Sequence, residues 1–251
     1  MLNTGQESLL AIAAVLVLAG FVKGVIGLGL PTVSIGLLAT QMPPAHALAI
    51  VIVPTIVTNI WQTLGGPYLL DIVKRLWPLM IGVCVGIWSG AGLMSGPYAV
   101  YGTIVLGVLL VIYAAIGLAK LRFHVTRSHE KWVGGIVGLI TGIVSAATGV
   151  QVIPSMPFMQ AVGMEKDELV QALGVFFTVA TLALSYNLTG AGLLTRGTVL
   201  PAVVATVGAF AGMAIGQFTR SRLSADAFRR RFLIAMGLLG LYLTAGALAK
   251  L

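Results

Sequence analysis

Long apolar runs, separated by short polar or Gly/Pro-containing breaks, organise the whole sequence. No charged residue occurs between Arg75 and Lys120 or between Lys131 and Glu165. A helix that crosses a bilayer needs about 20 mainly apolar residues, so such stretches hold membrane-spanning segments rather than a soluble core. The predicted segments lie near residues 8 to 25, 27 to 40, 44 to 64, 76 to 95, 98 to 119, 132 to 149, 150 to 163, 166 to 187, 199 to 217 and 231 to 249. We therefore predict an all-α polytopic membrane protein with 8 to 10 transmembrane segments.

Composition supports this class and argues against several others. The chain is 58% hydrophobic and only 9% charged, whereas roughly 25% of the residues in soluble domains are charged. The net charge of +8 comes from basic residues in short loops, where lipid headgroups and the positive-inside rule explain them. We therefore expect a lipid bilayer and no nucleic acid as partner. Cys84 is the single cysteine, which excludes an intramolecular disulfide and leaves no cluster with metal-ligand spacing.

The order of the segments repeats along the chain. In each half the second segment is short and rich in Gly and Pro, and the charged stretch from Lys120 to Lys131 divides the halves. A shift of 122 residues aligns Gly27 with Gly149 and also pairs later glycines of the two halves. We predict a first transmembrane repeat at residues 1 to 120, a charged cytoplasmic linker at 121 to 131 and a second repeat at 132 to 251.

Basic residues indicate how the segments cross the membrane. If all ten segments cross, 12 Lys and Arg residues share one side and only Arg196 and Lys250 lie opposite. If the short segments dip in and return, the count becomes 8 against 6. The positive-inside rule favours ten crossings, with five per half, inverted repeats and both termini outside a multi-pass cell (inner) membrane protein.

The two short segments carry the candidate chemistry. The first begins with residues 24 to 34 and the second with residues 145 to 155, and each combines glycines, a proline and polar side chains at membrane depth. Such breaks free backbone groups that lipid cannot satisfy. A helix that restarts after a break directs free N–H groups at the gap and attracts an anion there. Two such seats would meet near the bilayer midplane, while the alternative is a pair of kinks with tight glycine packing.

At these residues the chain resembles the TauE/SafE family of sulfite and organosulfur-anion exporters, also called the toluene-sulfonate uptake permease family. The resemblance covers nearly the whole chain and lies in the order of the Gly-rich turns, proline-bearing short segments and Gly-rich helices. The first turn, Gly27-Leu28-Gly29-Leu30-Pro31, departs from the family's glycine cluster. The resemblance implies secondary transport, as an exporter, of sulfite, a sulfonate or another organosulfur acid by alternating access around a midplane site.

The candidate substrate-binding residues lie at the breaks or on the segments that follow them. They are Lys23, Gly27, Gly29, Thr32, Ser34, Asn59, Gln62, Thr148, Gly149, Gln151, Ser155, Gln171 and Thr181. Lys23 is either the counter-charge of the anion or a side chain that snorkels to water. Asn59 and Gln62 either line a cavity or bond a neighbouring helix. His46 is a candidate for proton coupling, or else an interfacial histidine at a helix start.

Other functions have weaker support. A passive anion or small-solute channel of the aquaporin plan would need an Asn-Pro-Ala triplet, which does not occur. A membrane-embedded enzyme lacks acids inside the apolar segments, so we expect no catalytic residue, no metal and no cofactor beyond a coupling H⁺ or Na⁺. Two Gly-x-x-x-Gly-x-x-x-Gly runs, at 82 to 90 and 208 to 216, predict close helix packing and are candidate faces for a homodimer.

Overall fold

The computed structural model describes residues 4–93, 99–119, 124–220 and 224–249, and within them the chain is helical, with turns and one short 3₁₀ turn between helices. The prediction of an all-α fold is confirmed. The ten helices are α1 (Thr4–Ile26), α2 (Leu30–Leu38), α3 (Pro44–Leu64), α4 (Leu69–Ser89), α5 (Ala99–Ala119), α6 (Glu130–Thr148), α7 (Ser155–Ala161), α8 (Lys166–Gly190), α9 (Val199–Thr219) and α10 (Ala225–Leu248).

Seven of these helices, α1, α3, α5, α6, α8, α9 and α10, are long and apolar enough to cross a membrane. α2 and α7 have only 9 and 7 residues, and α4 carries Asp71, Lys74 and Arg75 in its first two turns. α3 and α8 are the most enclosed of the seven, with 56% and 61% of their apolar windows buried. The two helices therefore form the interior, with the short helices beside them.

The halves of the chain are held together by helix pairs that join one half to the other. α1 packs most extensively on α9, α4 on α6, and α5 on α10. Small residues bring these backbones together: a Cβ at Gly24 would lie 2.9 Å from the Cα of Gly216, and one at Gly86 would lie 2.9 Å from the Cα of Gly142. Both predicted glycine runs therefore serve packing between helices of one chain.

Helix directions follow from the register of these contacts. Gly20 faces Ala209 and Gly24 faces Gly216, so α1 and α9 are parallel. Leu79 of α4 faces Gly138 of α6, and four residues later Val83 faces Gly142, so α4 and α6 are also parallel. α5 and α10 run antiparallel, because the partner of Gly107 is Thr244 and that of Gly117 is Leu233.

Within the described residues, successive helices alternate in direction from α1 to α10. Lys23 of α1 bonds Asn59 of α3, and Gly27, one turn later, bonds Gln62. α1 and α3 are therefore parallel, so the short α2 runs back between them. α7 likewise returns the chain between α6 and α8, with Phe158 beside Gly134 near the start of α6.

Several boundaries differ from the prediction. α4 begins at Leu69 rather than near 76, because Arg75 is paired with acids of other helices and does not need to leave the bundle. α10 begins at Ala225, where the Ser224 hydroxyl caps its first turn. α6 begins at Glu130, so the last two residues of the predicted linker are helical, while residues 120–123 lie outside the described part.

Gly86→Ala should destabilise the protein, because the new methyl group would collide with the backbone of Leu139 and Gly142 on α6. Overpacking of this kind costs about 1–3 kcal/mol. Gly246→Ala is the matched control, since its Cβ meets nothing within 4 Å. Thermal unfolding in detergent should show a lower midpoint for Gly86→Ala only; equal midpoints would contradict this account of the α4–α6 contact.

Candidate functional site

The first break separates α1 from α2 and is built on glycines with positive φ. Gly27 has φ 89° and Gly29 has φ 101°, a backbone conformation that other residues adopt at a cost. The Gln62 side-chain amide of α3 donates to the Gly27 carbonyl at 3.2 Å and to the Val170 carbonyl of α8 at 2.7 Å. The carbonyl freed at the break is therefore satisfied by protein rather than by lipid.

Lys23 lies one turn before this break and points into the protein. Its side chain is only 5% exposed, so it does not snorkel to water. Its ammonium donates to the Thr58 hydroxyl at 3.1 Å and to the side-chain oxygen of Asn59. In the described part of the chain, the ion pairs all involve Arg75. No acid there forms an ion pair with Lys23. A buried charge with neutral partners is costly and is therefore a functional candidate.

Three buried polar atoms of α2 and α3 have no hydrogen-bond partner within the described residues: Thr32 Oγ1, Thr55 Oγ1 and Asn59 Nδ2. The orientation of the Asn59 amide is set by chemistry, because an ammonium can only donate and must therefore face the oxygen. The amide nitrogen of Asn59 is left with two buried N–H groups. Lys23, Thr58 and Asn59, with the unpartnered Thr55 one turn before Asn59 on α3, are called the Lys23 cluster below. This cluster can accept a ligand that offers hydrogen-bond acceptors.

The second break, between α6 and α7, is polar, and its buried polar side chains have hydrogen-bond partners. Gly149 has φ 74°, and the Gln151 amide donates to the Thr181 hydroxyl of α8 at 3.2 Å. Thr148 accepts from the backbone N–H of Val150 at 3.2 Å, and Ser155 donates to the Gln151 carbonyl at 2.5 Å. This break therefore offers no unsatisfied side chain of the kind seen in the Lys23 cluster.

Both breaks bond a corresponding position of the long helix that follows. Asn59 and Thr181 are separated by 122 residues, the same shift that aligns Gly27 with Gly149. In the first half a lysine bonds this position, and in the second half a glutamine does. The halves therefore bond the same helix position from different residues, since Lys23 precedes the glycine of its break and Gln151 follows the glycine of its own.

The structure does not bring the two breaks together. Gly27 is bonded to Gln62 near the end of α3, whereas Gly149 lies against Leu48 near its start. Those positions are 14 residues apart along α3, or about 21 Å at 1.5 Å per residue. Asn59, which bonds Lys23, lies between these two levels.

Gln171 fastens the end of α3 to α8. Its amide nitrogen donates to the carbonyls of Thr63 at 2.8 Å and Gly66 at 2.6 Å, and its oxygen accepts from the N–H of Tyr68 at 2.8 Å. Together with Gln62 it joins the α3–α4 turn to the first turns of α8. These hydrogen bonds hold the helices in position. They occupy the side-chain nitrogens of Gln62 and Gln171, so neither nitrogen points at the Lys23 cluster.

Two other predicted residues lie apart from the cluster. Ser34 is buried, but its hydroxyl donates to the Leu30 carbonyl of its own helix at 2.7 Å. His46 is exposed in the first turn of α3, at the opposite end from Gln62. Proton coupling through His46 therefore stays a prediction.

Sequence reasoning missed an ion-pair network at the end of the bundle that carries most basic residues. Arg75 of α4 bonds Glu130 of α6 through two nitrogens at 2.6 and 3.0 Å, and its guanidinium also donates to the Val162 carbonyl at 2.7 Å. Glu168 of α8 lies 3.6 Å from the same guanidinium. The only indication of this network in the sequence is that Arg75 stands next to an apolar run. The partners of Arg75 lie 55 or more residues away in the sequence, so the local pattern does not predict them.

Apolar helices in this number, surrounding a buried lysine and unpartnered polar groups, define an integral membrane protein. The family description Sulfite exporter TauE/SafE matches residues 12–243. Since this is nearly the whole chain, the chain belongs to the TauE/SafE family, as its resemblance predicted, and the family consists of transporters rather than enzymes. No curated protein and no solved structure matches the chain.

Gly149→Ala should cost more stability than Gly27→Ala. Both sites have positive φ, but a Cβ at Gly149 would lie 2.6 Å from Ile35 Cδ1, whereas one at Gly27 would meet Val170 only at 3.8 Å. Ile35→Val removes that carbon and should recover part of the loss at Gly149→Ala, with no recovery at Gly27→Ala. Unfolding midpoints of the four variants measure this coupling. Equal losses at both glycines, unaffected by Ile35→Val, would contradict it.

Proposed function

We propose that this chain is a secondary transporter that exports a small anion, most consistent with sulfite, a sulfonate or another organosulfur acid. The observation that carries the proposal is the Lys23 cluster, in which a buried ammonium has only neutral partners. A permanently uncompensated charge would destabilise the fold, so an anion that arrives and leaves is its natural counter-ion.

The cluster suits an oxyanion with several acceptor oxygens. Lys23 uses two of its three N–H groups within the protein, and Asn59 has two N–H groups free. The hydroxyl of Thr55, one turn before Asn59 on α3, is without a partner. A sulfite or sulfonate group offers three oxygens that accept charge-assisted hydrogen bonds. This proposal narrows the predicted site from both breaks to the first break and the next long helix, α3.

The exchange of helix partners supports two inverted repeats at residues 1 to 120 and 132 to 251. The counterpart of α1 is α6, that of α4 is α9, and so on along the two halves. When each helix is exchanged for its counterpart, the α1–α9 contact becomes the α6–α4 contact. The pairs α5–α10 and α3–α8 are then exchanged within themselves and stay the same. Corresponding helices of the two halves run in opposite directions. Alternation from α1 to α10 favours ten crossings, with α2 and α7 completed by turns and extended backbone.

Transport by alternating access is favoured over a channel because the Lys23 cluster is closed off from both ends. Asn59 is 1% exposed, as is Thr55. An open channel needs a continuous wet path through the protein, whereas a carrier needs a site that is reached from one side at a time.

Both termini should be accessible only from outside the cell. Arg229, Arg230 and Arg231 are exposed at the start of α10, and alternation places that end of the bundle opposite the start of α1. By the positive-inside rule the basic end is cytoplasmic. Reporter fusions at the C-terminus, with a fusion near residue 127 as the opposite-side control, measure this orientation. Termini inside the cell would overturn the inverted ten-crossing arrangement.

Lys23→Met should weaken anion binding and slow transport while leaving the empty protein as stable as before or more stable. The change removes a buried charge, and with it charge-assisted bonds of about 1.5–3 kcal/mol, a loss in affinity of roughly tenfold or more. Lys74→Met is the matched control because Lys74 is exposed. Sulfite binding to the purified variants and efflux from proteoliposomes provide the measurements. Normal binding and efflux by Lys23→Met would refute the proposed site.

A further inference from the structure

Two small clefts lie at opposite ends of the α3–α8 pair. The inner cleft, at the basic end, has a volume of about 230 Å³ and is lined by Gln62, Gly65, Gly66, Val170 and Gln171, among others. The outer cleft, at the other end, has only about 30 Å³ and is lined largely by Leu48, Leu184, Asn187 and Leu188. The inner cleft is therefore several times larger than the outer one, and three leucines line the outer cleft.

The two clefts are images of each other under the internal repeat. The 122-residue shift relates Gln62 to Leu184, Gly65 to Asn187, Gly66 to Leu188 and Leu48 to Val170. In each pair the first-half residue belongs to α3 or to the turn that follows α3. The second-half residue belongs to α8. Because the roles of α3 and α8 exchange, this correspondence is the one that a two-fold axis between the halves produces.

Each cleft also opens beside one break. Gln62 of the inner cleft bonds the Gly27 carbonyl, and Leu48 of the outer cleft is the residue that an added Cβ at Gly149 would meet at 3.2 Å. The Lys23 cluster lies between them along α3. Along α3 the outer cleft, the Lys23 cluster and the inner cleft therefore follow one another in that order, with a break beside each cleft.

We propose that the clefts are the two mouths of a single transport path, and that Leu48, Leu184 and Leu188 form its closed outer gate. This inference rests on the proposed function of anion transport. The inner cleft is large enough for an anion with some of its water, whereas the outer cleft holds about one water molecule. A constriction of that size, with leucine side chains around it, is too small to pass a hydrated anion. In this structure the outer mouth is therefore the more tightly closed of the two.

The pair of corresponding residues Gln62 and Leu184 makes the gate asymmetric. At the inner mouth the amide of Gln62 bonds two carbonyls and leaves a polar wall. At the outer mouth Leu184 is 2% exposed and Leu188 is 5% exposed, so side chains without hydrogen-bonding groups close the same position. Opening the outer mouth requires these leucines to separate from Leu48, which exchanges the shapes of the two clefts.

Thiol labelling from each face tests whether the clefts are two mouths. In a Cys84→Ser background, Tyr68→Cys lies at the inner cleft and Ala191→Cys at the outer cleft. A membrane-impermeant methanethiosulfonate should modify the first variant only from the basic side and the second only from the opposite side. Modification of both variants from the same side would overturn the proposal.

A buried thiol measures the gate itself. Thr181→Cys is about one turn inward of Leu184, and the reagent added outside should modify it slowly. Adding Leu184→Ala should raise that rate at least tenfold, whereas adding Leu182→Ala, at a neighbouring position that is 52% exposed, should leave it unchanged. An equal rate with and without Leu184→Ala would overturn the gate.

These rates are measured without substrate, so they are independent of the Lys23 result. If Lys23→Met keeps normal sulfite binding but the labelling pattern holds, the anion site is wrong and the two mouths stand. If Lys23→Met loses binding but both cysteines react from one face, the anion site stands and the proposed path fails.

Discussion

The structure depends on backbone-to-backbone contact between helices that come from different halves of the chain. In lipid, helix association gains little from the hydrophobic effect, so close packing through small residues must hold the bundle together. Gly24 with Gly216 and Gly86 with Gly142 allow this approach in the two equivalent helix pairs, α1–α9 and α4–α6. Once α1 is fastened to α9 and α4 to α6, α3 and α8 are confined to the interior. The polar breaks are held there by the same contacts.

Within that frame, the two halves differ mainly in charge. Lys23 introduces an ammonium where the second half has Ser145, its counterpart at the 122-residue shift, whose hydroxyl bonds the Thr141 and Val150 carbonyls at 2.6 and 3.1 Å. One half is thus satisfied by its own backbone, and the other retains unmet donors. Under the proposed function, this difference gives the anion a single place of strongest attraction.

The sequence was most informative where local chemistry decides structure. α3 was predicted at 44 to 64 and is found at Pro44–Leu64, because Pro43-Pro44 begins it and Gly65-Gly66 ends it. The membrane class and the family were confirmed for a related reason, since hydropathy and the order of breaks are read directly from the chain. The start of α4 was wrong because the partners of Arg75 are distant in sequence.

The geometry of the site was harder to predict because it depends on helix directions and contacts between distant segments. Asn59 and Gln62 share a helix face, yet Asn59 bonds a lysine and Gln62 bonds two carbonyls. The positions of the two breaks, at separate ends of α3, follow from α1 and α3 being parallel. Nothing in the sequence indicated that the leucines of the outer cleft have a special position, because an apolar residue is ordinary in an apolar segment. Leu184 stands out only when the structure pairs its cleft with that of its counterpart, Gln62.

The pairing of α1 with α9 also governs the order in which the protein can be assembled. α1 is the first helix to be synthesised, but the surface that buries its glycines lies more than 170 residues later in the chain. At about 5–20 residues per second, α1 waits on the order of ten seconds or longer in the bilayer before its partner exists. The partners of Lys23 are made much earlier, because Thr58 and Asn59 lie on α3. The α1–α9 contact is therefore among the last to form, and a chain truncated before α9 would leave α1 without its partner.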